Sequence, residues 1–141
     1  MVWADSAGNI GWQAVGICPL REGWNGLLPV PGDGRFEWTG YLPIKDLPHT
    51  FNPPEGFFAT ANQDNIPDGY PYSVGFLWTD PFRFARIQEF LSSGRKLTMT
   101  DMMELQQDVL SIPARTLVPL LKGLQSANER TQNAVKMLLL L

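Results

Sequence analysis

Glycine and proline constrain this chain of 141 residues more than any other feature: it holds 13 of the first and 12 of the second. Most of them fall in residues 1–79, among tryptophans and phenylalanines. Proline has no backbone N–H to give a sheet ladder, and glycine takes the dihedrals of tight turns. Many turns, short strands and irregular connections are therefore expected there. Disorder is not, because apolar residues make up 44% of the chain and charged residues only 18%. The length suits one domain with a sizeable core.

Charge and composition remove further classes. The formal net charge is −3 and the sequence pI about 5.0, with no run of Lys and Arg. A nucleic-acid partner is excluded on that ground, since phosphates call for a basic stripe. One cysteine, Cys18, makes no internal disulfide, and one histidine, His49, anchors no His-rich metal site. The apolar end, Met137 to Leu141, is far too short to span a membrane, so no membrane partner is expected. The first residues carry no signal-peptide pattern. Both termini read as cut points, which makes 1–141 an internal piece of a longer chain, with its leucine-rich end left to self-associate.

Within 1–79, Val2–Asp5 and Ile10–Ile17 read as a hairpin around the small polar turn Ser6-Ala7-Gly8-Asn9. Residues 19–34 and 43–54 read as proline-shaped loops, and Arg35–Tyr41 as a half-buried strand with period two. Gly56–Ala61 reads as an interior strand, and the tryptophans as core. From residue 80 the pattern turns helical. Asp80 and Pro81 mark one start, Thr98 with Asp101 forms a capping-box pattern, and Met102, Leu105 and Val109 fall on one face. Pro113 opens a stretch to Leu124, distorted at Pro119, and Ser126 starts a last helix with Ala134, Leu138 and Leu141 on one face. With strands in 1–79 and helices in 80–141, the fold class is α+β.

Few residues offer chemistry. Asn62-Gln63-Asp64-Asn65 is a polar cluster at a presumed strand end. Asn62 can donate from its amide to a developing oxyanion, which needs a fixed donor rather than a charge. The same cluster suits an Asx-type turn, and composition by itself favours the turn. Arg83 stands in a first helical turn, where the macrodipole disfavours a cation; that placement can mark an anchoring role for a carboxylate or carbonyl, but the pattern by itself favours a solvated surface arginine. Cys18 reads as a small buried hydrophobe and His49 as a loop residue. No phosphate loop, metal spacing or serine elbow occurs.

The order of several segments is more specific. Trp3-Ala4-Asp5, Gly8-Asn9-Ile10-Gly11-Trp12, Leu28-Pro29-Val30-Pro31-Gly32 and Phe36-Glu37-Trp38-Thr39-Gly40-Tyr41-Leu42-Pro43 resemble the penicillin acylase family. So do Asn52-Pro53-Pro54-Glu55-Gly56-Phe57 leading into Ala59-Thr60-Ala61-Asn62, and Gly75-Phe76-Leu77-Trp78 leading into Phe82-Arg83. The resemblance spans most of residues 2–110. It implies an N-terminal nucleophile hydrolase that cleaves the acyl-amide bond of penicillin-like or acyl-homoserine-lactone-like substrates. It also implies an αββα fold, of which 1–141 would be part of the large chain, and a periplasmic or exported precursor that cuts itself into two chains. The nucleophile would be the serine at the new N-terminus, with its own α-amino group as base.

On that resemblance Asn62 is the oxyanion-stabilising asparagine, and Arg83 the arginine that supports the nucleophile and its neighbours. The serine would lie upstream of Met1, so the piece alone is expected to be inactive. Its partners would be the acyl-amide substrate, the rest of the large chain and the small chain. Some members hold a structural calcium with an acidic residue shortly before the tryptophan. Tyr72 stands there and has no carboxylate, so no cofactor is assigned and calcium is left to the parent protein. A non-catalytic member or interaction module is the competing reading.

Overall fold

The hairpin forms because its turn satisfies itself. Asp5 accepts from the Ala7 and Asn9 backbone N–H groups at 2.9 and 2.8 Å and from the Asn9 side chain at 2.8 Å. Gly8 takes φ +87°, a left-handed position that costs glycine little. The turn joins β1 (Val2–Ala4) to β2 (Ile10–Gln13), both shorter than expected. Trp3 lies opposite Gly11, where a Cβ would fall 2.6 Å from the indole, so only glycine admits that ring.

This is a computed structural model, and it describes residues 1–140; Leu141, expected on the face of Ala134 and Leu138, lies outside the described residues. The chain divides into two units, Met1–Thr79 and Asp80–Leu141. Among the described residues every strand falls in the first and every α-helix in the second, an α+β composition.

In the first unit, β3 (Pro19–Arg21) and β4 (Trp38–Tyr41) pair antiparallel with a bulge between Leu20 and Arg21. β5 (His49–Phe51) pairs with β2, giving the order β1-β2-β5. Two expected loops thus contain strands. Pro19 is tolerated because it begins its strand. The segment from 43 on contributes a 3-10 turn at Ile44–Asp46 before β5. Gln13 fixes that segment by donating to Ile44 O at 2.8 Å, and the Tyr70 hydroxyl does so by donating to Asp46 O at 2.6 Å.

Gly56–Ala61, expected as an interior strand, forms none. Left-handed dihedrals bracket it, φ +76° at Gly56 and +66° at Asn62. Phe58 stacks on Trp12 with ring centroids 4.8 Å apart, so the run is seated by a side-chain stack rather than a ladder. The buried apolar residues of this unit are Trp12, Leu42, Leu47 and Ala61. The other tryptophans are not core: Trp3, Trp38 and Trp78 are exposed and Trp24 is half-buried.

In the second unit, α1 (Phe82–Leu91) begins one residue later than expected. Pro81 takes the cap position, and the Asp80 carboxylate accepts from Phe82 N–H at 3.1 Å. α2 (Met99–Gln106) carries the capping box: Asp101 N–H donates to Thr98 Oγ1 at 3.2 Å, and Thr98 N–H to Asp101 Oδ2 at 2.6 Å. α2 stops before Val109, which is 96% exposed instead of sharing the apolar face. Asp108 leaves the helical path to pair with Arg86 on α1 and to accept from Leu110 N–H at 2.8 Å.

α3 (Ile112–Leu117) is capped by Ser111 and tightens into a 3-10 turn, Val118–Leu121, at Pro119. Proline removes an i→i−4 donor, which is why the α geometry ends there. α4 (Glu129–Leu138) starts at the Asn128 cap, later than Ser126; that serine instead accepts from Asn128 N–H at 3.2 Å. Val135 is its buried apolar residue, and Leu140 is 87% exposed.

Candidate functional site

Asn62 has an unusual backbone. Its φ of +66° lies in the left-handed region, which costs most side chains about 1–2 kcal/mol and asparagine least. Three bonds around it impose the conformation. The buried Gln63 folds back so that its Oε1 accepts from Ala61 N–H at 2.7 Å. From further along the chain, Thr79 N–H donates to Asn62 O at 2.9 Å and Thr79 Oγ1 donates to Ala61 O at 3.1 Å. Asp64 closes the following turn by accepting from Ile66 N–H at 3.0 Å. Asn62 itself is exposed while its neighbours Ala61 and Gln63 are buried. The corner therefore fixes where the Asn62 side chain leaves the backbone, while the side chain itself stays exposed. The expected Asx-type turn is present, at Asp64.

Arg83 is the second residue of α1 and is exposed, in the first turn as the sequence implied. It lines an open cleft with Asp80, Phe82, Asp108, Leu110 and Ser111. Asn62 belongs to the first unit and Arg83 to the second.

Beside Arg83 runs a charge network the sequence reading missed. Arg86 Nε donates to Asp108 Oδ2 at 3.0 Å, and its Nη1 lies 3.4 Å from Glu89 Oε1. Glu89 also receives both arms of the Arg115 guanidinium, at 3.0 and 2.9 Å. Arg86 lowers the Asp108 pKa, and Arg115, then Arg86, lowers that of Glu89. The spacing of Arg86 and Glu89 on one helix was the only local signal for it. Alternating charges across α1, the turn before α3 and α3 itself fix the wall on which Arg83 stands.

The other residues singled out have structural surroundings. Cys18 is half-buried rather than buried, with Sγ 4.0 Å from Ser73 O. His49 Nδ1 meets Leu47 O at 2.8 Å. Tyr72 is 43% exposed, and among the described residues no group of three metal-ligating side chains occurs.

The penicillin amidase family model matches residues 1–140. Acyl-homoserine lactone acylase QuiP of Pseudomonas fluorescens is 45% identical over 97 residues, covering 68% of this chain and 12% of that protein. Penicillin G acylase of Escherichia coli is 34% identical over 139 residues, 92% of this chain and 16% of that protein. Among solved structures, a thermostable penicillin G acylase from Alcaligenes faecalis superposes with a TM-score of 0.67 at 26% identity. That superposition covers 99% of this chain and 26% of the other. The chain therefore spans a small part of the relatives it matches.

Proposed function

This chain belongs to the penicillin amidase family, and from that premise we propose that it is part of an acyl-amide hydrolase to which it supplies the oxyanion donor Asn62 and the supporting Arg83. The observation that carries the reading is the clamped left-handed backbone at Asn62, which sets where its exposed amide side chain leaves the chain. A serine elsewhere in the full-length protein attacks the acyl carbonyl, with its α-amino group taking the proton. The carbonyl oxygen becomes an oxyanion, and the Asn62 side-chain N–H donates to it. Collapse returns the proton to the departing amine and leaves an acyl-serine, which water hydrolyses to the free acid. Arg83, presented from a helix wall stiffened by the Arg86–Glu89–Arg115 network, orients the nucleophile and its neighbours.

The substrate class is an N-acylated amine of the acyl-homoserine lactone or penicillin kind, after the named activities of the relatives. The remaining large chain and a small chain are the proposed partners, and 1–141 alone is inactive and prone to self-associate. Exposed Leu77, Leu120 and Leu140 support such partners, because apolar side chains of this size favour cover. An exported, periplasmic precursor goes with the same reading.

The test is kinetic. In the full-length protein, Asn62→Ala is expected to lower turnover of an N-acyl-homoserine lactone and of penicillin G roughly 100- to 1000-fold. Turnover kept within a few-fold, in a variant that folds and matures normally, would remove Asn62 from the oxyanion role.

A further inference from the structure

A second cleft in the first unit is walled by Cys18, Arg21, Trp24, Asn25, Tyr72 and Ser73. Arg21 lies among aromatic rings, its guanidinium carbon 5.4 Å from the Trp24 centroid and 6.0 Å from that of Trp38. Its Nε edge is closed by Gly26, where an added Cβ would approach Nε to 2.8 Å. That nitrogen is withdrawn from solvent with no acceptor, and so is Trp24 Nε1. The only protein acceptor for the guanidinium among the described residues is Pro19 O, at a long 3.4 Å from Nη1. No acidic side chain lines the cleft. A half-buried cation with its Nε withdrawn from solvent and one weak acceptor is missing a counter-charge.

We propose that this cleft binds a carboxylate through the outer Nη edge of Arg21. The planar fork matches a carboxylate's two oxygens, and the flanking indoles favour a flat group. One unit of positive charge suits a monoanion better than a phosphate dianion. The carboxylate comes either from a free organic acid or from an acidic side chain elsewhere in the full-length protein.

Thermal unfolding of the full-length protein separates these sources, with sodium propionate compared against sodium chloride at equal ionic strength. If a free acid binds, propionate raises the wild-type midpoint by a few degrees and leaves Arg21→Gln unchanged. If the protein's own carboxylate fills the cleft, propionate has no effect and Arg21→Gln melts lower at pH 7. That deficit then closes below about pH 4, because the paired carboxylate stabilises only while ionised. Arg21→Lys, which keeps the charge without the fork, is compared in the same way should Arg21→Gln fail to fold. A deficit unchanged at low pH, or no deficit and no propionate effect, overturns the proposal. Neither readout uses amidase activity, so its failure is separate from any failure of the Asn62 assignment.

Discussion

Asn52 and Asn62 share a backbone conformation and differ in what holds it. Both are left-handed, at φ +46° and +66°. Asn52 uses its own side chain to join distant chain: Oδ1 accepts from Ile10 N–H at 2.9 Å, and Nδ2 donates to Asn9 Oδ1 at 2.9 Å. Its backbone N–H donates to Ile10 O, so the residue continues the β2–β5 pairing past its last ladder pair. At Asn62 the neighbours do the holding, through Gln63 and Thr79. Asn52 thus serves the sheet through its own side chain, whereas under the proposed reading Asn62 presents its amide to substrate.

The largest expected effect comes from taking the amide away without touching the corner. Asn62→Gly suits φ +66°, so the full-length protein should fold as well as wild type while turnover falls roughly 100- to 1000-fold. A glycine variant that is active but unstable would reverse the comparison.

Next is the clamp. Gln63→Leu removes the Gln63 Oε1 that accepts from the buried Ala61 N–H, which should cost about 1–3 kcal/mol in chemical denaturation and lower turnover as Asn62 shifts. Gln63→Glu retains an acceptor oxygen and, with both variants compared near pH 4 where a buried carboxyl stays protonated, should cost less. Equal losses for the two would show that the side chain's packing matters and its bond to Ala61 does not.

Asn52→Ala should cost about 1–2 kcal/mol, from lost hydrogen bonds and a left-handed alanine, with turnover per folded molecule unchanged. Loss of turnover beyond the unfolded fraction would mean that the two asparagines are coupled.

The smallest effect lies in the second unit, at the carboxylate that caps α2. Hydrogen bonds from the Thr98 hydroxyl and N–H, then from Arg95, lower the Asp101 pKa from its ordinary value to about 2. A depressed acid stabilises fully above its unfolded pKa and loses that contribution as pH falls through the folded one. The α2 cap should therefore weaken between about pH 4 and pH 2, seen as exchange of its first-turn amides. In Asp101→Asn that pH dependence should vanish.

The readable parts of this molecule are those whose partners are close in sequence. The Asp5 turn, the Thr98–Asp101 box and the break at Pro119 each close within a few residues, so residue type and spacing suffice. Asn62 and Arg83 were singled out in the same way, as residue types at the ends of elements, and gained their proposed roles through the family resemblance. The misread parts depend on partners far along the chain. β3 became a strand because β4 supplies its ladder about twenty residues later, and Gly56–Ala61 lost its strand to the Trp12–Phe58 stack.

The sequence alone determined the α+β composition, the Asp5 turn and the Thr98–Asp101 cap, because these follow from local dihedrals and hydrogen bonds within reach of a short segment. Only the tertiary structure decided which strands pair, why α2 ends before Val109, and how Asn62 is held. Thr79 and Arg86 act on residues about twenty positions away, and no local pattern encodes a contact that the folded chain alone brings into reach.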